Sequence, residues 1–386
     1  MAMTSSAPSR RARIAGTLLR YRLLIVAVAA AAHGVWDAST AASAGDGTLF
    51  ARAGERLFSG AWSHALADPS IQVGPLHLAF SGVVASVARL IHVSDKVALS
   101  VTVETVSSVA LALLLRALWG RASTRHQVAE IAACCLWILW LGGVATAIGQ
   151  SAETLVPLMW LGAAIAARRG KGIGAGLLLG ASAAMKGWGI LGLPILVLDD
   201  DHRDAVLGAV VAVGSMALSY APFLIWGSVA SFSYHWTVSA VAPLHYVLGA
   251  GSDFSWGARL LQGALVLGGG GAAAWFGRKS PAAVWAVPLV LVVLRVLVDP
   301  VYYWYYWVPA QTLGLVGIAS LLLRARSVRQ YAATAFLYGT LFLSTDHPPL
   351  VGVGCLGVVL WALLASDQAP EALKFPVEVV ASGRAS

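Results

Sequence analysis

Long apolar runs recur along almost the whole chain and restrict its possible folds more than any other feature. Runs of about 17 to 25 residues, each long enough to cross a hydrocarbon core about 30 Å thick, continue as far as residue 366. Only 11% of the 386 residues are charged, whereas a soluble domain has roughly 25%. We therefore predict an all-α, polytopic membrane protein in which residues 1–386 form one integral membrane domain, with no soluble domain left over.

Clusters of basic residues set the predicted topology, because cytoplasmic loops of membrane proteins are enriched in Lys and Arg. If every apolar run were a simple crossing, the run at residues 73–92 would place two of these clusters outside the cell. Either the rule fails at both clusters, or the number of simple crossings is smaller than the number of apolar runs. The clusters lie at residues 10–22, 116–125, 168–171, 278–279 and 324–329.

Two segments that are not simple crossings remove this conflict. Residues 73–92 become a helix that lies in or dips into the outer leaflet, and residues 172–198 divide at "MKGWG" into two half-helices. Each half is too short to span the membrane, so the turn at Lys186 must be buried in protein or line a wet cavity. The resulting twelve or so segments lie near residues 22–38, 97–119, 127–148, 153–168, 172–184, 187–198, 204–227, 256–276, 282–298, 303–323, 330–345 and 348–366.

This topology places both termini in the cytoplasm, as tails of residues 1–21 and 367–386. A long first loop, residues 39–96, lies outside and contains the membrane-surface helix. We thus predict a multi-pass protein of the plasma membrane whose chemistry takes place at the extracytoplasmic face. The three cysteines have neither the spacing of a metal site nor that of a disulfide framework.

Seven of the 26 basic residues fall outside the predicted cytoplasmic loops and tails. A cation in or beside the membrane is costly unless it lines a cavity, so each of the seven is a candidate ligand for an anion. Lys186 and Arg295 are the deepest and suit phosphate, Lys as a point charge and Arg as a bidentate fork. The alternative for Arg295 is an ion pair with Asp299, one helical turn on. For three cations at predicted helix ends, snorkelling is equally open: Arg89, Lys96 and Arg259.

Asp46 is the carboxylate of the charged stretch "AGDGTLFARAGERLFSG", residues 44–60, in the first outer loop. An enzyme that activates a hydroxyl needs a base, and an Asp at the top of a cavity suits that role. The alternative is a helix N-cap, since apolar residues follow at helical spacing, and spacing alone favours the cap. Nothing in the local context singles out Asp37, which we predict to be a solvated loop residue.

Aromatic, imidazole and amide side chains also gather at the predicted outer face. Six consecutive aromatic residues in "DPVYYWYYWVPAQ" exceed what one helix face can direct to the headgroups, so some point inward, where they suit a sugar ring or a prenyl chain. His347 in "STDHPPL" is a candidate for binding phosphate or a hydroxyl, with a simple turn before Pro348 as the alternative. The candidate substrate-lining residues are Gln72, His77, His235, Trp236, His245, Tyr302, Tyr303 and Tyr306.

Four features follow one another between residues 46 and 191. They are Asp46 in the first loop, "GPL" at 74–76, "IGQSAETLVPLMWLGAAIAARRG" at 148–170 and "GAGLLLGASAAMKGWGIL" at 174–191. Together they resemble the polyprenol-phosphate-sugar-dependent membrane glycosyltransferases of the GT-C superfold. The resemblance is closest to family 87, which includes the bacterial polyprenol-phosphate-mannose-dependent alpha-mannosyltransferases.

This resemblance implies a GT-C-type bundle of about twelve transmembrane segments. It also implies transfer of a hexose, mannose above all, from polyprenyl phosphate to a glycolipid or lipoglycan acceptor, with inversion. Asp46 would be the general base, and Lys186, Arg295 and His347 would bind the donor phosphate. Because this chain has only "GDG" where many GT-C members have paired acidic residues, no metal or other cofactor is expected. The partners implied are the two lipid-linked substrates and membrane lipids, without nucleic acid.

Two readings from other classes stay open on the sequence. A lipid-linked sugar flippase or secondary transporter would also have broken helices and buried cations, but it predicts two similar halves and a site near the midplane. The chain has no convincing internal repeat, and its candidate residues gather at one face, which favours an enzyme. A catalytically inactive scaffold of envelope assembly is the third reading.

Overall fold

The computed structural model describes residues 17, 19–40, 45–120, 123–143, 149–325, 327–343 and 348–364. Within these ranges most of the chain is helical and strands are almost absent, so the predicted all-α class is confirmed. In chain order the α-helices are α1 Arg22–Thr40, α2 Gly45–Arg56, α3 Pro75–Leu90, α4 Asp95–Trp119, α5 Thr124–Trp137, α6 Ala152–Ala167, α7 Gly172–Met185, α8 His202–Trp226, α9 His245–Leu248, α10 Trp256–Gly277, α11 Ala283–Leu297, α12 Val308–Arg324, α13 Val328–Leu343 and α14 Pro348–Leu364.

Shorter elements connect the helices. A π-helical turn, Ile138–Gly142, continues α5. The strands β1 Trp236–Thr237 and β2 Asp253–Phe254 form an antiparallel pair in which Trp236 lies opposite Phe254. The 3-10 helices are Trp62–His64, Gly187–Leu198, Ala230–Ser233 and Trp304–Trp307.

Several helices have the length and composition of membrane spans, which supports a membrane protein. Among the described residues, five helical stretches are long and apolar enough to cross a bilayer. Shorter apolar helices, α3, α6, α7 and α11 among them, lie between these five in the chain. The prediction of about twelve segments therefore stays a prediction. The five stretches are Arg22–Thr40, Asp95–Trp119, His202–Trp226, Trp256–Gly277 and Trp304–Arg324.

The predicted break at "MKGWG" is confirmed as the tip of a helical hairpin. Helix α7 ends at Met185, Lys186 is extended at φ −154° and ψ 130°, and the chain returns as the 3-10 helix Gly187–Leu198. The hydroxyl of Ser182 donates to the carbonyl of Gly189 across the hairpin, at 3.1 Å. The glycines and the proline of "GWGILGLP" disfavour a regular α-helix in the returning arm, which leaves Lys186 at a rigid turn.

Small residues let the hairpin pack tightly against α8. A Cβ at Gly176 would lie 2.2 Å from the Gly208 carbonyl oxygen, and one at Gly180 would lie 2.9 Å from that of Ala212. Close contact of backbones across small residues is a common way to pack helices within membranes, where lipid tails remove the usual hydrophobic driving force. Helices α7 and α8 run parallel, because the 3-10 helix that follows α7 in the sequence returns the chain to the end of the bundle where α7 began.

Arginines from several predicted cytoplasmic loops meet at one end of the bundle. The carboxylate of Glu130 on α5 pairs with Arg22 Nε at 3.1 Å and with Arg116 Nη2 at 2.6 Å. Arg169 donates to the Ala117 carbonyl, and Arg168 donates to that of Arg278. The basic clusters therefore share one end of the molecule, as the predicted topology requires. Which membrane face this end occupies stays a prediction.

Helix α11 forms the centre of the bundle and nearly all of its side chains are buried. It packs against α6, α10, α12 and α14, and it runs from Ala283 near the arginine-rich end to Arg295 near the other end. Helices α6 and α7 place Glu153 and Lys186 at that second end as well. This end of the bundle thus holds three ionisable side chains close together.

The first loop contains two helices that cross closely. A Cβ at Gly54 of α2 would lie 2.1 Å from the Leu78 carbonyl oxygen of α3, and the Gly74 amide donates to the Met185 carbonyl at 2.8 Å. The helix predicted over residues 73–92 is thus present as α3, and its N-terminus abuts the hairpin tip. The prediction for Asp37 is wrong, because this residue is buried in α1 instead of lying solvated in a loop.

Candidate active site

A cavity of about 570 Å³ opens at the end of the bundle opposite the clustered arginines. Its size falls within the range of about 300 to 1,000 Å³ that is usual for small-ligand pockets. The first loop, the chain entering α6, the hairpin tip, α8, α10 and the residues around Arg295 form its wall. Its charged and amide-bearing lining residues are Asp46, Gln72, Gln150, Lys186, Arg259, Gln262, Arg295 and Asp299.

Most of the residues predicted for the site come together here. The cavity wall includes Asp46, Gln72, Lys186, Trp236, Arg295, Tyr303 and Tyr306. Four other predicted residues, His77, His235, His245 and Tyr302, do not line it. The remaining predicted residue, His347, lies outside the described residues.

Asp46 and Lys186 are linked through the side chain of Gln150. The Gln150 amide nitrogen donates to Asp46 Oδ2, and its amide oxygen accepts from Lys186 Nζ at 3.0 Å. Asp46 lies within the first turn of α2 and not in front of it, so the N-cap interpretation does not describe its contact. Its carboxylate is exposed to the cavity and sits at the positive end of the helix dipole. A carboxylate and an ammonium group thus face the same space.

Glu153 lies beneath this link and joins the two predicted phosphate ligands. Its side chain is fully buried, with Oε1 2.7 Å from Lys186 Nζ and Oε2 3.5 Å from Arg295 Nη1. An unpaired carboxylate at this depth would be strongly destabilising. Glu153 therefore fixes the positions of both cations and neutralises part of their charge.

Arg295 lies between two carboxylates and two aromatic rings. Besides Glu153 it pairs with Asp299, whose Oδ2 lies 3.6 Å from Nη2, so the i,i+4 ion pair expected as the alternative is present. Its guanidinium carbon lies 4.4 Å from the ring centre of Trp188 and 4.7 Å from that of Tyr306. Such cation–π contacts restrain the planar group as well as stabilise it. Arg295 therefore lines the cavity while its guanidinium group already contacts two carboxylates and two aromatic rings.

Arg259 is the least committed cation of the cavity. Its guanidinium carbon lies 5.3 Å from the ring centres of Trp236 and of Phe254, and no carboxylate of the described residues forms an ion pair with it. Glu153 and Asp299 pair with Lys186 and Arg295, so among the described residues Arg259 and Asp46 are the charged groups of the wall that have no ion pair. An anionic group that enters the cavity would therefore meet the positive charge of Arg259.

The four predicted residues that do not line the cavity lie around it. His77 is completely buried under the first loop, with Nε2 3.3 Å from Ser151 Oγ and its ring against Phe50. His235 is exposed, and His245 Nδ1 contacts the Ala242 carbonyl oxygen. The Tyr302 hydroxyl accepts from the Trp307 indole nitrogen at 3.2 Å. Their predicted contact with substrate stays a prediction.

The first loop is fastened to the segment that follows α8, which shapes the rim of the cavity. The Ala230 amide donates to the Leu66 carbonyl at 2.9 Å, and the Ser231 hydroxyl donates to that of Ile71 at 2.6 Å. Hydrogen bonds from the Ser70 hydroxyl and amide hold the pKa of the Asp68 carboxyl below its ordinary value. Asp68 therefore stays ionised and keeps this turn in place at neutral pH.

Sequence reasoning missed Gln150 and Glu153 as individual site residues. Both lie in "IGQSAETLVPLMW", which carried the family resemblance, but neither had a role there. The signal was a glutamate at the edge of a long apolar run with no basic residue within one helical turn, which requires a distant cation. Arg259 had been left open between a ligand and a snorkelling side chain, and its place on the cavity wall favours the ligand.

The fold and the cavity define a helical membrane protein with a cavity at one end of its bundle that is lined by charged, amide and aromatic side chains. The family model of glycosyltransferase family 87 matches residues 74–300, more than half of the chain. The chain belongs to this family and is a glycosyltransferase. No curated protein matches the chain in a sequence search. The match covers Gln150, Glu153, Lys186, Arg259 and Arg295 but begins after Asp46.

Proposed function

We propose that this glycosyltransferase moves a hexose, most simply mannose, from polyprenyl phosphate to a glycolipid or lipoglycan acceptor at the outer face of the plasma membrane. The observation that carries the proposal is the shared contact of Asp46 and Lys186 with Gln150 at the wall of one cavity. A base for a hydroxyl and a cation for a phosphate are the two groups that this reaction needs most. Membership of family 87 supplies the reaction class.

The reaction begins when Asp46 accepts the proton of the acceptor hydroxyl. The hydroxyl oxygen forms a bond to the anomeric carbon from the side opposite the phosphate, so the configuration at that carbon inverts. The bond from the anomeric carbon to the phosphate oxygen breaks, and its electron pair stays on the departing polyprenyl phosphate. Exposure of the Asp46 carboxylate to the cavity leaves one of its oxygens accessible to an acceptor.

Negative charge grows on the phosphate as it departs, and fixed cations stabilise that growth best when they are already in place. Lys186 and Arg259 are our candidates for this contact, since Arg259 has no ion-pair partner among the described residues. Arg295 lies between two carboxylates and two aromatic rings. We therefore assign it an indirect role, in which it keeps these neighbouring side chains in place around the phosphate. The same role proposed for His347 rests on the family resemblance.

Aromatic side chains of the wall suit the remaining parts of the donor. Trp188, Trp236, Tyr303 and Tyr306 line the cavity. Flat aromatic faces pack well against the apolar faces of sugar rings and against prenyl chains. We place the hexose and the first prenyl unit against these rings.

Product analysis with purified protein tests the proposal. The protein, in lipid, receives polyprenyl phosphate that carries mannose, glucose, galactose or arabinose, together with a membrane glycolipid extract. Mass spectrometry should detect one hexose added to a glycolipid from one donor, and NMR should give an anomeric configuration opposite to that of the donor. Retained configuration would contradict the mechanism. Movement of the lipid donor across the bilayer without any glycolipid product would contradict the transferase and favour the transporter reading.

A further inference from the structure

A second polar cluster lies inside the bundle, outside the cavity wall. His33 and Asp37 lie one turn apart on the same face of α1, and Glu104 faces them from α4. His33 Nδ1 is 2.9 Å from Glu104 Oε2 and 3.3 Å from Asp37 Oδ2. One ligand atom of each residue lies within 4.8 Å of those of the other two, which is close enough for a single metal ion to contact all three.

Both carboxylates of the cluster are buried, and one carboxylate oxygen has no hydrogen bond among the described residues. The Glu104 side chain is fully buried, and Asp37 is 9% exposed. Asp37 Oδ2 points at His33 but has no hydrogen-bond partner among the described residues. A buried carboxylate oxygen without a donor is costly, so it indicates a missing ligand or proton. This oxygen is the observation that distinguishes the cluster from an ordinary buried ion pair.

The backbone leaves room for the two carboxylates. A Cβ at Gly143 would lie 1.8 Å from Asp37 Oδ2, and a Cβ at Gly142 would lie 3.2 Å from Glu104 Oε2. Gly142 is the last residue of the π-helical turn Ile138–Gly142 and Gly143 follows it, and such turns are frequent at functional sites. Side chains at these positions would displace the carboxylates, so the chain forms a cradle around them.

Charge indicates what the cradle holds. Asp37 and Glu104 bring two carboxylates to the same imidazole nitrogen inside the bundle, and carboxylates held this close repel each other unless a cation lies between them. A divalent cation bound by the neutral imidazole and both carboxylates makes the group neutral. One nitrogen and two oxygen ligands suit Zn²⁺ or Mn²⁺ better than Ca²⁺ or Mg²⁺, which prefer oxygen alone.

We propose that His33, Asp37 and Glu104 bind one divalent transition-metal ion of the Zn²⁺ or Mn²⁺ class. The ion connects α1 to α4 beside Gly143. Seven residues further along the chain is Gln150, which contacts Asp46. The ion has a structural role and takes no part in sugar transfer. The inference is independent of the proposed function, and it reverses the expectation from the sequence that the chain binds no metal.

Metal binding by the full-length protein in detergent tests the proposal. After treatment with chelator, the protein is dialysed against Zn²⁺ or Mn²⁺ and its metal content is measured, and Co²⁺ is titrated by visible absorption. We expect one ion per chain, and at least about tenfold weaker binding for Asp37→Asn and Glu104→Gln. Asp95→Asn makes the same kind of change nine residues away on α4 and should bind the metal as the wild type does.

A replacement ligand keeps the test valid if the first variants fold poorly. His33→Cys should still bind Co²⁺ and should add a thiolate-to-cobalt charge-transfer band in the near ultraviolet, which the wild type lacks. Added Zn²⁺ should also raise the thermal midpoint of the wild type and not that of Glu104→Gln. Equal metal content in the wild type and Glu104→Gln, or no thiolate band in His33→Cys, would overturn the assignment.

Discussion

Replacing Glu153 by glutamine tests how the cavity holds its cations. The change keeps the shape of the side chain and removes the charge that lies 2.7 Å from Lys186 Nζ and 3.5 Å from Arg295 Nη1. Removing one partner of a buried ion pair usually costs about 3 to 5 kcal/mol, since it leaves the other charge without compensation. Arg295 keeps Asp299, and Lys186 keeps Gln150. We therefore expect a loss near 3 kcal/mol.

A double-mutant cycle measures how much of this loss comes from the interaction between Glu153 and Lys186. Unfolding free energies in detergent micelles are compared for Glu153→Gln, for Lys186→Met and for the double variant. Once Lys186 is uncharged, the loss of Glu153's charge should cost less, so the two effects should fall short of additivity by about 1 to 3 kcal/mol. Glu130→Gln is the matched control, because Glu130 also bridges two cations but lies at the other end of the bundle.

The two glutamates should differ in their effects on the ligand. Glu153→Gln should change the affinity for polyprenyl phosphate, because it frees Lys186 and Arg295 from their shared carboxylate. Glu130→Gln should leave that affinity unchanged in the protein that remains folded. Effects of Glu153→Gln and Lys186→Met that add within about 0.5 kcal/mol would refute the direct coupling that we infer.

Three further predictions concern the ligand and the fold. Lys186→Met should weaken polyprenyl phosphate binding by about 10- to 100-fold, because a charged hydrogen bond is lost. Lys171→Met, at the other end of α7, should leave this binding unchanged, and a binding titration compares the two variants. Arg259→Leu should raise the donor KM by about tenfold and Arg259→Lys by less, as steady-state kinetics will show; equal KM values for wild type and Arg259→Leu would exclude the contact. Gly176→Val places a Cβ 2.2 Å from the Gly208 carbonyl oxygen, so it should cost at least about 1 to 3 kcal/mol, while Gly174→Val, beside open space, should leave the thermal midpoint unchanged.

Local patterns allowed much of the fold to be predicted. Apolar length predicted the helical bundle, and the basic clusters predicted which loops share an end, as the contacts of Glu130 and Arg169 now bear out. Glycines and Lys186 in "MKGWG" predicted the break between α7 and its returning arm. Each of these signals depends on residues that are close together in the sequence, so it can be recognised without knowledge of the tertiary contacts.

The partners of the charged residues could not be predicted in the same way. Lys186 meets Gln150 and Glu153 across more than 30 residues, and His33 meets Glu104 across 71. Sequence predicts that a buried charge needs a counter-charge, but packing decides which one it finds. Asp37 shows the consequence, since its neighbours in the chain gave no reason to expect a buried cluster.

The central claim, that Asp46 is the base, is tested most directly by comparing donor binding with turnover in Asp46→Asn. Asparagine has the same shape but cannot take a proton, so polyprenyl-phosphate-mannose should bind about as tightly as to the wild type. Turnover should fall by about 100-fold or more, the usual contribution of a general base. Asp95→Asn, which changes a half-buried carboxylate at the start of α4 outside the cavity wall, should retain full turnover. Turnover by Asp46→Asn within a fewfold of the wild type would contradict the account.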